Sequence, residues 1–124
     1  MSTVLNDFPN SALKKNLIAP QLLTSTTTVG TGVDMVTGDG NCFAIIELGT
    51  WSATAITFQI QQSTATNSGF ANISGASVSA VTNTTPILTI GPFQRDSRYL
   101  NAIATVSGTT IGVAVSVFEQ LKQL

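Results

Sequence analysis

The sequence predicts an all-β fold, an antiparallel β-sandwich or jelly roll of about 7–8 short strands with an extended N-terminal arm. Three observations predict it. Short segments of alternating apolar and polar residues recur between turn signals spaced about ten residues apart, as in two-sheet folds. Of the 124 residues, 19 are Thr and 12 are Ser, and the branched Cβ of Thr suits a pleated surface. No stripe of helical period runs beyond a few turns. The length is that of one domain with one core.

The arm comprises residues 1–20, "MSTVLNDFPNSALKKNLIAP", which lack a sustained period of two and contain Pro9 and Pro20. A short helical turn is expected after Asn10 or Ser11, both good N-cap residues, with Ala12, Leu13 and Leu17 on one side. The arm is read either as a frayed terminus or as a segment that orders on a neighbouring subunit, with Phe8, Leu13, Lys14, Lys15 and Leu17 as the candidate contacts.

The sandwich domain is assigned to residues 21–124. "QLLTSTTTVGTGVDMV" reads as one or two strands broken around Gly30 and Gly32, "TGDGN" as a turn, and "CFAIIEL" as a short buried strand ending at Gly49. In "ATAITFQIQQ", Ile56, Phe58 and Ile60 share one face while Thr57, Gln59 and Gln61 share the other, the pattern of a strand with one wet side. After a turn at "STATNSG", "FANISGASVSAV" is a weak strand with Gly75 as a candidate bulge. "ILTIGPF" is a strand that Pro92 ends or confines to a sheet edge, because proline cannot donate to a ladder.

The last element, "RYLNAIATVSGTTIGVAVSV", reads as two strands joined by a turn at Ser107-Gly108-Thr109. Leu100, Ala102, Ala104 and Val106 form one apolar face, and Ile111, Val113, Val115 and Val117 form the return face. Small residues at 102, 104, 112 and 114 leave room for another layer to approach. The tail "FEQLKQL" fits either a continued strand or a final helical turn.

Charge and chemistry narrow the function classes. Charged residues make up 9% of the chain, 5 basic and 6 acidic, against about 25% in ordinary soluble domains. A net charge of −1 offers no footprint for nucleic acid. So little charge predicts that part of the surface is covered in use. The chain contains no histidine, which excludes Ser-His-Asp triads, Cys-His pairs and ordinary zinc sites. The six carboxylates, Asp7, Asp34, Asp39, Glu47, Asp96 and Glu119, are scattered rather than paired for acid–base work. The single Cys42 reads as a small buried hydrophobe. "GDGNC" is an incomplete calcium loop, and "GTG" at 30–32 lacks the helix and lysine of a phosphate cradle. The expectation is a non-enzyme without cofactor or metal. The N-terminus lacks the basic-then-apolar order of a signal peptide, and no apolar run approaches the ~18 residues of a membrane helix, so neither export by that route nor a membrane is expected. Binding candidates besides the arm are Trp51, at an apparent hairpin corner, and Arg95, Asp96 and Arg98 of "QRDSR", a segment suited to an acidic partner surface.

The succession "VDM" (33–35), "FAIIELGTW" (43–51), "ITFQIQQS" (56–63) and "RYLNAIATVSGTTIGVAVSV" (98–117) resembles a pattern in small structural proteins of tailed-bacteriophage heads. The resemblance covers about residues 30–118. It implies a capsid decoration, or cement, protein: a β-sandwich located on the virion, whose partner is the major capsid protein and which is often a homotrimer at local symmetry axes. Asn101 stands where that pattern carries a basic residue. A tail-fibre or receptor-binding module and a head-completion or tail-tube protein are the alternatives, since both are also all-β assemblies.

Overall fold

Two strands much longer than their sequence punctuation suggests organise the chain. The computed structural model describes residues 12–24, 27–28, 32–80 and 87–121. Among these, the strands are β1 (Ala12–Leu23), β2 (Thr27–Thr28), β3 (Val33–Asp34), β4 (Gly38–Ser63), β5 (Ala71–Ala80), β6 (Ile87–Gln94) and β7 (Tyr99–Leu121). All pairings are antiparallel.

β4 and β7 pair along almost their whole length and belong to both layers of a sandwich. In sheet I, the first half of β4 lies between β6 and the second half of β7, and β1 closes the far edge. In sheet II, the second half of β4 lies between β5 and the first half of β7, which also carries β2 and β3. The register shifts three times between Leu48 and Ala55, where the pair turns from one sheet into the other. Strands that switch sheets do so at bulges, which bend the ladder and raise its twist.

This corner corrects the reading of residues 98–117 as a hairpin. Ser107 pairs with Ala55 and Gly108 with Ala53, so the chain runs on through Ser107-Gly108-Thr109 instead of reversing. A glycine flanked by hydroxyl residues serves a sheet corner as well as a tight turn. Gly49 does not end its strand for the same reason, since β4 continues to Ser63.

The expected inner faces are in place. Ile56, Phe58, Ile60, Leu100, Ala102, Ala104, Ile111, Val113, Val115 and Val117 are all buried, with Val106 partly so. Ala104 is the register partner of Phe58, and Ala102 of Ile60, so small residues on β7 make room for large ones on β4. Gly75 has φ +82°, and the register slips between Gln59 and Gln61 opposite it, which is the expected bulge. The Gln59 amide fills it, donating to the carbonyls of Ile60, Ile73 and Ala76 at 2.8, 3.1 and 3.2 Å. Pro92 lies on β6, which pairs with β4 and lines the edge of sheet I, as expected of a proline strand.

The N-terminal segment differs from its sequence reading. From Ala12 onward the chain is strand rather than helical turn, and it pairs with β7 from Gln120 to Ile111. A register irregularity between Asn16 and Ile18 turns two consecutive residues inward, so Leu17 and Ile18 are each 1% exposed. The tail is settled as strand through Leu121.

Candidate functional site

The first cluster lies where the start of β4 meets the end of β7. Glu119 is buried between these strands, and Arg95, just after β6, reaches it with Nε at 2.9 Å from both carboxylate oxygens and Nη2 at 2.8 Å from Oε2. The backbone N–H of Gly40 donates to Oε2 at 2.5 Å. The other Arg95 donors bind the carbonyls of Ser97 (3.0 Å), Gly38 (3.2 Å) and Met35. Both side chains are therefore fully engaged, and they tie residues 35–40 and 95–97 to β7. Gly38 is required here, because a Cβ on it would lie 2.1 Å from the Glu119 Cδ.

Cys42 lies beside this knot. Burial, reinforced by the Glu119 charge, pushes its thiol up to about 12, so the reactive thiolate is scarce at ordinary pH. Native protein at mildly alkaline pH should therefore resist iodoacetamide, and unfolded protein should be alkylated at one site. Rapid alkylation of the native chain, read by intact-mass spectrometry, would contradict this placement.

An exposed ion pair flanks the knot. Arg98 donates to both Asp34 carboxylate oxygens at 2.9 and 2.7 Å, and its guanidinium carbon stands 5.2 Å from the Tyr99 ring centroid. The Arg98 hydrogen bonds, with help from the Val36 N–H, hold the Asp34 carboxyl below its ordinary value of 3.8. A carboxyl lowered on folding stabilises above its unfolded value, and that contribution disappears as pH falls through the folded value. Asp34→Asn should thus lower the thermal midpoint slightly at neutral pH, solvent screening keeping the effect small, and should match the parent once the carboxyl is protonated. An equal loss in strong acid would show that the ion pair is not its source. Asp96, also exposed, is fixed by its backbone, whose N–H donates to Gln62 Oε1 at 2.7 Å.

The second candidate is the outer face of sheet I. Phe43 on β4 and Phe118 on β7 are register partners whose rings stack at 5.1 Å with an interplanar angle of 12°. The next outward rows are Asn16, Ser116, Ile45 and Thr89, then Ala114, Glu47 and Ile87. Beyond them Leu22, 62% exposed, pairs with Gly112, and Gly49 approaches Gly112 to 4.0 Å from its own Cβ position. The two glycines, with Pro20, Leu22, Glu47 and Ala114, line a groove of about 450 Å³. The outer face of sheet II is different: it presents Thr57, Gln59, Gln61, Ser77, Ser79 and Thr105.

The sequence-based candidates are thus dispersed. Leu13 is half-buried against the core and Lys14 and Lys15 are exposed on β1. Leu17 is a correction: proposed as a contact residue, it is buried in its own core by the β1 irregularity. Arg95 is another, because its guanidinium answers Glu119 inside the fold and is not presented to a partner. Arg98 and Asp96 are exposed. Trp51 lies in β4 opposite Ile111, but its side chain, like Phe8, is outside the described residues. Phe43, Phe118, Glu47 and Leu22 were missed. The available signal was the unbroken apolar run in "CFAIIEL", which in an antiparallel fold marks a strand covered on both faces.

No protein-family model matches the chain, and no curated protein matches it. Solved structures show the fold. The chain is similar over its full length to the PBSX exported protein XepA, with a TM-score of 0.65 and 10% identity. It is similar over 89% of its length to the structure of infectious bursal disease virus Gx strain, with a TM-score of 0.58 and 9% identity. It spans 40% of the first of those chains and 32% of the second. The xylan-binding domain from CBM 22 is similar over 92% of this chain and 88% of that one, with a TM-score of 0.50 and 11% identity. At such identities the likeness establishes a β-sandwich and nothing finer.

Proposed function

We propose that the protein is a structural component of a phage virion that binds the outside of the assembled capsid shell, through contacts to the major capsid protein, and stabilises it without catalysis. The observation that supports this reading is the scarcity of charge, 9% of residues, together with the apolar outer face of sheet I, which marks a chain that works inside an assembly rather than alone. Large exposed apolar patches mark interaction surfaces, and permanent assemblies use more hydrophobic ones than transient encounters do. Similarity of fold to a PBSX exported protein and to a virus structure agrees with it. A protein that binds the assembled shell better than its free subunits stabilises that shell by mass action, and attachment through several copies multiplies modest contacts.

Quantitative mass spectrometry of purified particles tests the reading. Copy numbers comparable to the major capsid protein are expected, and particles lacking this chain should open at a lower temperature. Absence from particles, or an unchanged opening temperature, would overturn it.

A further inference from the structure

We propose that the partner on the outer face of sheet I is a second copy of this chain, packed face to face about a two-fold axis. The proposal rests on the reading above that the chain works inside an assembly, and it assigns this face to the contact between copies, leaving other surfaces to the shell. Two features of the face, a ridge and a groove, complement each other. The Phe43–Phe118 ridge stands at one end and the Gly49–Gly112 groove at the other. Ridge and groove lie on the same two strands, six residues apart on each: Phe43 to Gly49 on β4, and Gly112 to Phe118 on β7. Turning a second copy end over end therefore sets each ridge over the other copy's groove, twice in one contact, as a two-fold interface requires.

Charge supports the same occupant. Between the ridge and the groove the outward rows carry one cation, Lys14, and one anion, Glu47. Lys14 flanks the ridge as the register partner of Phe118, while Glu47 lines the groove. They lie two strands and four residues apart on one sheet, with Cα atoms about 16 Å from each other, and both side chains project outward from the same face rather than toward one another. Seating the ridge in the groove brings the Lys14 of one copy toward the Glu47 of the other, and reciprocally. The face measures about 19 by 25 Å, so the pair buries on the order of 1,000 Å², the lower bound for a specific interface. Association should accordingly be reversible and concentration-dependent.

Sedimentation equilibrium of the purified full chain tests this. The parent should populate dimers. Lys14→Glu or Glu47→Lys alone should weaken association by about tenfold or more, and the double exchange Lys14→Glu/Glu47→Lys should restore it, as reciprocal pairing demands. Both positions are exposed, so circular dichroism should report unchanged folding. A chain that stays monomeric, or an oligomer indifferent to all three variants, would overturn the proposal. Particle loading separates the two readings. Loading by a monomeric chain would overturn the pairing and leave the shell reading standing, whereas charge-sensitive dimers absent from particles would do the reverse.

Discussion

Arg95→Met should destabilise the fold by about 3–5 kcal/mol, the range for removing one partner of a buried ion pair. The Glu119 side chain is wholly buried and that of Arg95 is 10% exposed, so solvent screens the pair little. The substitution strands the carboxylate and also withdraws donors from the Met35, Gly38 and Ser97 carbonyls. An unsatisfied buried acceptor costs about 1–3 kcal/mol, which places this variant toward the upper end. Arg95→Met/Glu119→Leu should recover part of the loss, because the stranded charge is gone. It should not recover all of it, since the Gly40 N–H then loses its acceptor as well. Urea unfolding of the three proteins measures both differences. A single variant within about 1 kcal/mol of the parent would show that water reaches the carboxylate and that the knot is not closed.

The same pair marks a limit of what the sequence shows. Arg95 stands next to Asp96, and local spacing favours a solvated ion pair between neighbours, yet its partner is 24 residues away on another strand. Only the topology brings them together, because the end of β7 returns beside the start of β4. The inner faces were legible because burial imposes a period of two, and Ile56-Phe58-Ile60 and Val113-Val115-Val117 carry it without interruption. The corner at Ser107–Ile111 was not legible, since bulges that redirect a strand use the same small residues as turns that reverse one. β1 was obscured by Leu17-Ile18, whose irregularity breaks the alternation that identifies a strand. The apolar outer face of sheet I was half visible: "CFAIIEL" is apolar at every position but one, although only the register shows that Phe43 meets Phe118.

Phe58→Ala should cost about 3–5 kcal/mol, more than an aliphatic truncation elsewhere in the core. Phe58 is fully buried in sheet II, where its register partners are Ala104 on β7 and Val78 on β5. The cost of a truncation depends on how far the surroundings relax into the space it leaves. Ala104, itself fully buried, has only a methyl to offer that space, and both flanking positions are held by their backbone ladders to β4. The cavity should stay open. Ala104→Leu in the Phe58→Ala background offers a direct check, because it returns volume from the opposite strand. It should recover a measurable part of the loss, whereas Ala104→Leu alone overpacks an occupied site and should cost about 1–3 kcal/mol. Opposite signs for one substitution in two backgrounds are the signature of a shared site. Additive effects in denaturant unfolding would mean that Phe58 and Ala104 do not compete for the same volume and that the large-and-small packing assigned to sheet II is wrong.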